Sequence, residues 1–589
     1  QLLKDKRGRR PEGEVTEVLQ RHRDLYVGVT ERHRNHIFVQ PDNKRIHVDF
    51  FIPSAKASDV EEGQKVIVRM ESWPSDSEYP LGEIIDLLGE PGLHEVEMNA
   101  IMVEFGLPLK FPSQVEQYAA NLPIHLPEED IKKRRDFRDV PTFTIDPDDA
   151  KDFDDALSFR KLENGNVEVG VHIADVSYYV QPESPIEKEA YMRATSVYLV
   201  DRVIPMLPEI LSNKVCSLRP DEEKFAFSAV FEMNENAQVI KEWFGRTVIL
   251  STRRFTYDEA QEVIETGKGD MADAITWLQG AAVQLRKERI GNGALEIEGS
   301  EVKFELDDKG NPVGVRKKVM KDANKLIEEF MLLANRHVAQ FLGMPKPNSS
   351  PRASVYRIHE PPDPEKLQTL LGFLKTFGIE MKNVNPQNAA RHINKVLQQI
   401  KGKPEEHIIR TQCIRTMSKA VYATDNLGHY GLAFEYYTHF TSPIRRYPDL
   451  MVHRLLQDKL DGKPASNVQL MEKACLHSSE REKVAAEAER ASIKYKQVQF
   501  LEQHLGEVFP GMIISVVPWG FFVELEDNYC EGLVRMDEID GDHYYYDSAT
   551  FSVRGKRSKK VFTMGDKVEV QIDKVDLMAK EVTFALVDA

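Results

Sequence analysis

Apolar and polar positions alternate in short bursts near both ends of the chain, and follow a longer period through its middle. From Gly13 to Gly89 the apolar bursts are Val15 and Val18, then Leu25–Val29, Ile37–Val39, Val48–Ile52 and Val66–Met70. Turn signals such as Pro41-Asp42-Asn43 and Glu62-Gly63 separate them. Five short strands in about 75 residues predict a small β-barrel, with an OB-fold the leading candidate. Residues 90–140 read as a helical connector ending in Lys132-Lys133-Arg134-Arg135. A large mixed α/β region follows, in which Asn164-Gly165-Asn166 predicts a hairpin turn between Ala156–Arg160 and Val167–Ile173. Leu326, Ile327, Phe330, Met331, Ala334, Val338 and Phe341 recur near a 3.6-residue period and predict a helix over Lys325–Leu342. Another long charged helix is predicted over 470–504, before short strands resume at Val508–Val517, Phe521–Leu525, Gly532–Met536, Val568–Ile572 and Val582–Leu586. The expected organisation is multidomain: a linker at 1–12, a β-barrel at 13–90, a large mixed α/β domain with its connector at 91–503, and a second β-barrel at 504–589.

Composition adds limits rather than a function. The chain has 589 residues, 41% hydrophobic and 29% charged, as expected for soluble globular domains. No apolar run approaches the ~18 residues a bilayer span requires, and no signal-peptide pattern opens the chain. It begins with Gln1, so a truncated N-terminus is expected. The four cysteines (Cys216, Cys413, Cys475 and Cys530) are far apart, which argues against a zinc or disulfide framework and for a reducing cytoplasm. The net charge of −17 argues against a nucleic-acid partner only if taken alone, because a local basic surface matters more than the total. Lys4, Lys6, Arg7, Arg9 and Arg10 form either a solvated linker or a phosphate-contacting arm. Tyr26, Arg32, His33, Arg34, Phe38, Lys44 and Arg45 interleave basic and aromatic side chains, as a single-strand-binding surface would.

The segment Phe143-Thr144-Ile145-Asp146-Pro147-Asp148-Asp149-Ala150-Lys151-Asp152-Phe153-Asp154-Asp155-Ala156 places six carboxylates within ten residues. Crowded carboxylates repel, so a buried cluster needs a cation, and hard oxygen ligands suit Mg²⁺ or Mn²⁺ better than zinc. An EF-hand fails on spacing: counting from Asp146, position five is Ala150, position six is Lys151 and position twelve is Leu157. A solvated acidic loop and a one- or two-metal site for phosphodiester hydrolysis both remain open on composition alone.

The spacing of Asp146, Asp152, Asp154 and Asp155 between Thr144-Ile145 and Ala156 resembles the catalytic motif of the ribonuclease II (RNB) superfamily. Tyr437-Thr438-His439-Phe440-Thr441-Ser442-Pro443-Ile444-Arg445-Arg446-Tyr447-Pro448-Asp449-Leu450 resembles its arginine motif. A third match runs from Thr195-Ser196-Val197-Tyr198-Leu199 through Ile204-Pro205-Met206-Leu207-Pro208 to Cys216-Ser217-Leu218. Pro518-Trp519-Gly520-Phe521-Phe522-Val523 and Glu531-Gly532-Leu533-Val534-Arg535 look like an S1-type OB-fold, and the first barrel looks like a cold-shock domain. The last domain is closer to the ribonuclease R type. An N-terminal helical region, a first cold-shock domain and a basic C-terminal tail are not seen in this sequence.

The resemblance implies roles residue by residue. The four aspartates would hold Mg²⁺, with Mn²⁺ as an alternative, and Arg445 would stabilise the transition state. Arg446 is left open, and Asp148 and Asp149 are bystanders. Tyr198 and Tyr257 would stack on or contact the terminal nucleotides, Glu329 would contact ribose, and Glu489 would line the RNA channel. Trp519 and Phe522 would stack on RNA; Arg535 stands where many relatives have histidine, while Phe521 fills the barrel. The implied activity is processive, metal-dependent 3′–5′ hydrolysis of single-stranded and 3′-overhang structured RNA to 5′-mononucleotides by a monomeric cytoplasmic enzyme. Two alternatives stand beside it: a ribonuclease II-like enzyme that stalls at duplexes, and an inactive RNA-binding regulator.

Overall fold

The computed structural model describes residues 23–587, apart from 35, 54–59, 75, 298–300, 346–351, 404, 465–466 and 549. The basic linker and the strand expected at Val15–Val18 lie outside the described residues.

The first barrel is closed by five strands, Leu25–His33, His36–Pro41, Phe50–Ile52, Lys65–Ser72 and Leu81–Gly89. The last of these was not expected; it pairs in parallel with Phe51 through Leu81 and completes the circuit. Ile37, Val39, Phe50, Ile52, Val66 and Val68 fill the interior, the inward half of a period-two pattern. Helix His94–Glu104 packs beside it. Their junction holds a buried cation: Lys65 Nζ lies 2.8 Å from Asp42 Oδ2 and 2.7 Å from Glu97 Oε2, with only 1% of its side chain exposed.

A seven-stranded sheet forms the centre of the large domain. Its order is Arg253–Thr256, Thr142–Asp146, Asp155–Lys161, Val167–Ala174, Glu223–Met233, Val239–Leu250 and Arg135–Asp136. The expected Asn164–Asn166 turn joins two of these strands, with Gly165 at φ 84°, a left-handed conformation that glycine adopts without strain. Helix Asp322–Gly343 buries Leu326, Phe330, Ala334 and Val338, the stripe seen in the sequence. Helix Val468–Glu502 runs 35 residues to the second barrel. The basic run at the connector's end is partly turned inward. Arg134 pairs with buried Asp175 at 2.8 Å and lies over the Phe225 ring, so it is structural.

The second barrel closes through Val508–Val517, Gly520–Leu525, Glu531–Arg535, Glu581–Leu586 and Lys567–Asp576. Phe521 is fully buried in it, as expected. An unexpected three-stranded sheet, Tyr544–Asp547, Ser552–Gly555 and Val561–Thr563, is inserted before its last two strands. All four cysteines are buried and unpaired. Among the described residues, no helix is long and apolar enough to cross a membrane.

Candidate active site

The aspartate segment is a strand, a loop and a strand. Asp146 ends Thr142–Asp146 and Asp155 begins Asp155–Lys161, so both sit at the same end of two adjacent antiparallel strands. The loop between them is tied down through its backbone. Arg254 Nη2 donates to the carbonyls of Pro147 at 2.6 Å and Asp148 at 3.0 Å, while its guanidinium lies over the Phe153 ring. Buried Ser217 donates to the carbonyl of Lys151 at 2.8 Å and accepts from the N–H of Phe153 at 3.0 Å. Neither residue was singled out in the sequence as a site residue, because bonds to backbone carbonyls leave no pattern in the loop's side chains.

Asp154 joins a chain of contacts that links three separated segments. Its Oδ1 accepts from the backbone N–H of Ile444 at 3.0 Å, and its Oδ2 lies 3.3 Å from Arg445 Nε. The carbonyl of Arg445 in turn accepts from the N–H of Ser196 at 3.0 Å, and that of Ala194 accepts from Tyr447 at 2.9 Å. Arg445 is 41% exposed and is braced by Ser442 Oγ at 2.9 Å. Arg446, by contrast, is partly buried and binds fully buried Asp449 at 2.7 Å, which makes it structural.

Tyr198 lies in the short strand Val197–Tyr198 and is 40% exposed. Burial pushes its hydroxyl up to about 12, and it feels the charges of Arg445, Asp152 and Asp154. Tyr257 opens the helix Tyr257–Thr266, directly after Thr256, which pairs in register with Asp146. Its hydroxyl is also pushed up, first by burial and then by Asp155 and Asp146. The two tyrosines thus sit within electrostatic reach of the aspartates, on different elements. Glu329 is placed differently from the open ribose contact expected of it. It is 3% exposed and ion-paired with Arg289. Glu489 is exposed on the long helix.

Burial dominates the electrostatics. Desolvation raises Asp146 to about 7, Asp154 to about 8 and Asp155 to about 7, and raises Asp152 as well. Arg445 opposes the rise at Asp152, Asp154 and Asp155 without cancelling it. Asp146 Oδ2 is buried without a hydrogen-bond partner. Orphaned, desolvated carboxylate oxygens are the donor set that a hard divalent cation takes. The shell is not closed: among the described residues, the one trio of ligand atoms within 4.8 Å of one another is that of His94, Glu95 and Asp201. That trio is already neutralised by Arg202, which bonds both acids.

In the second barrel, Trp519 is 59% exposed at a turn, Phe522 is half-buried, and Arg535 is exposed beside Asp537 and Glu538. Gly520, at φ 151°, allows this turn to lie against its neighbour; a Cβ there would stand 2.1 Å from the Val534 carbonyl oxygen.

Comparison with known proteins agrees with this geometry. The RNB domain family matches residues 134–462, a cold shock domain matches 38–112, and an S1 RNA binding domain matches 502–586. Ribonuclease R 1 of Lactococcus lactis is 37% identical over 98% of this chain and 72% of its own length. Ribonuclease R of Thermotoga maritima is also 37% identical, over 98% of this chain and 82% of its own. The structure of Mycoplasma genitalium RNase R in complex with ribose-methylated single-stranded RNA superposes with a TM-score of 0.90 at 25% identity, covering 100% of this chain and 93% of that one. Barrel order, the strand-end aspartates and near-full-length similarity agree: the chain belongs to the ribonuclease R family of processive 3′–5′ exoribonucleases.

Proposed function

We propose that catalysis in this chain is metal-dependent, with Asp146, Asp152, Asp154 and Asp155 holding Mg²⁺ and Mn²⁺ as the alternative ion. The observation that carries this reading is that buried Asp154 holds the arginine segment, through Ile444 N–H and Arg445 Nε, while the backbone of that segment is bonded in turn to the tyrosine segment. When bound, the ion supplies a Lewis acid for the phosphate and lowers the pKa of an attacking water. Asp154 holds Arg445 in place, so that its guanidinium faces charge building on the scissile phosphate. Tyr198 and Tyr257 offer ring faces to the terminal bases, which any base can use; this suits an enzyme that reads no sequence. Glu489 lines the path of the RNA, while Glu329, buried against Arg289, supports the helix beside the site. Trp519, Phe522 and Arg535 guide the strand before it reaches the catalytic domain.

The protein acts as a cytoplasmic monomer and digests 3′-tailed structured RNA completely. The test is a duplex with a single-stranded 3′ tail, incubated with Mg²⁺ and with the wild-type or Asp154→Asn protein. The expected result is full digestion by the wild type, with RNA bound but uncut by the variant. Arrest at the duplex would make it ribonuclease II-like, and binding without cleavage by the wild type would make it an RNA-binding protein on this scaffold. Loss of neither activity nor metal response in the variant would overturn the assignment of the aspartates.

A further inference from the structure

The strongest unassigned surface is on the sheet inserted into the second barrel. Lys556, Arg557, Ser558, Lys559 and Lys560 form an unbroken exposed turn between Ser552–Gly555 and Val561–Thr563. It concentrates four cations on a chain whose net charge is −17. Among the described residues, Lys556, Lys559 and Lys560 make no ion pair, and the exposed Arg557 meets Asp542 only at 3.5 Å.

The turn is held in shape from below. The side chain of Asp542 is 1% exposed and accepts from the backbone N–H groups of Arg557 at 2.7 Å and Ser558 at 2.6 Å. Lys556 N–H donates to the carbonyl of His543 at 2.9 Å, which ties the turn to the segment that follows Arg535. The sheet is two-faced. Tyr544, Tyr546 and Phe562 pack on the barrel core, whereas Tyr545, paired in register with Arg554, is 44% exposed. A fixed turn of unneutralised cations beside an open aromatic ring fits a polyanion with stackable bases.

We propose that the 556–560 turn and Tyr545 form a second RNA-contacting surface, separate from Trp519, Phe522 and Arg535, that grips the phosphate backbone outside the catalytic domain. The backbone can belong to a single strand or to the paired part of a tailed duplex. The cations contribute affinity and salt dependence without base preference.

The test uses the full chain and ribose-methylated RNA as an uncut probe, with binding measured by fluorescence anisotropy across a salt series. Combined Lys556→Gln, Arg557→Gln, Lys559→Gln and Lys560→Gln should weaken binding and reduce the log–log salt slope by about 0.7 per lost single-strand contact, up to about 3 in all. A charge-keeping set, Lys556→Arg, Arg557→Lys, Lys559→Arg and Lys560→Arg, should retain the wild-type slope, which separates lost charge from damaged folding. Running both sets on a single strand and on a 3′-tailed duplex shows which backbone is held. A wild-type slope in the glutamine set on both RNAs would overturn the proposal. Turnover of a short single-stranded RNA by the glutamine set reports the catalytic centre separately.

Discussion

Arg445 reaches Asp154 with its Nε at 3.3 Å, while the carboxylate's other oxygen is held by the N–H of the preceding residue, Ile444. One buried acid therefore anchors both the backbone and the side chain of the arginine segment. Asp154→Asn keeps an acceptor for Ile444 but removes the charge facing Arg445. Cleavage of a 3′-tailed RNA should fall by about 10²–10³-fold or more, the several kcal/mol expected from losing metal-assisted charge stabilisation. Affinity for ribose-methylated RNA should stay within a few-fold. Single-turnover kinetics and anisotropy measure the two, and an active variant would remove Asp154 from the site.

The adjacent arginines should separate cleanly into chemistry and stability. Arg445→Met is expected to lower the single-turnover rate by about 10³-fold or more, as loss of a transition-state arginine does, with a smaller fall in the urea midpoint than Arg446→Met, because Arg445 is 41% exposed and Asp154 keeps the Ile444 N–H. Arg446→Met leaves Asp449 buried without its partner, so it should destabilise the fold by about 3–5 kcal/mol. The reverse pattern would mean that the roles are exchanged.

Arg254 straps the aspartate loop through two carbonyls. Hydrogen bonds from a charged donor are each worth about 1.5–3 kcal/mol. Arg254→Met should therefore raise the Mn²⁺ concentration at half-saturation by about 10-fold or more, as read from electron paramagnetic resonance of the bound ion. Affinity for RNA should not move. Equal Mn²⁺ binding by both proteins would show that the strap does not shape the site.

Acid should destabilise the catalytic domain through its buried histidines. Burial lowers His172 to about 3, His429 to about 3 and His453 to about 4, against an ordinary value near 6.5. These groups stay neutral in the fold but take up a proton when unfolded. Their contribution is thus complete above pH ~6.5 and is lost as pH falls toward the folded values, at up to about 1.4 kcal/mol per unit for each histidine. The raised aspartates act oppositely in the absence of metal, losing stability as pH rises. The measurement is therefore the difference between wild type and His172→Gln at saturating Mg²⁺, by urea denaturation at pH 7.5 and 5.5. The gap should narrow at the lower pH; a constant gap would contradict the assignment.

Trp519 stands outside the catalytic domain, so Trp519→Ala should act on binding alone. Loss of one stacking platform is worth about 1–3 kcal/mol. The Kd for single-stranded RNA should rise accordingly, and the single-turnover rate at saturating RNA should not change. A slower saturated rate would place Trp519 in the chemistry.

Both barrels, the central hairpin and the helix Asp322–Gly343 were legible because their apolar positions keep a single period, whereas Val468–Glu502 was legible as a long charged helical run. The strand Leu81–Gly89 was not, since its pairing with Lys65–Ser72 slips register at three points and breaks the alternation that a regular strand would show. The inserted sheet was hidden for a related reason: the run Tyr544-Tyr545-Tyr546 has no polar partner positions to mark its two faces. At the site, the aspartates and Arg445 were legible as local motifs, whereas the grip of Arg254 and Ser217 on backbone carbonyls was not. The burial of Glu329 could have been read. It lies three residues after Leu326 and four before Leu333, on the apolar stripe of its helix, where a carboxylate needs a buried cation such as Arg289.

Lys65 turns the junction of the first barrel and helix His94–Glu104 into a weld rather than a swivel. One of its acids, Asp42, comes from the barrel and the other, Glu97, from the helix. Any rotation that parted them would strand an ammonium in an apolar seam, a penalty of about 3–5 kcal/mol. A force applied to the barrel is therefore carried into the helix, and the two move as one piece.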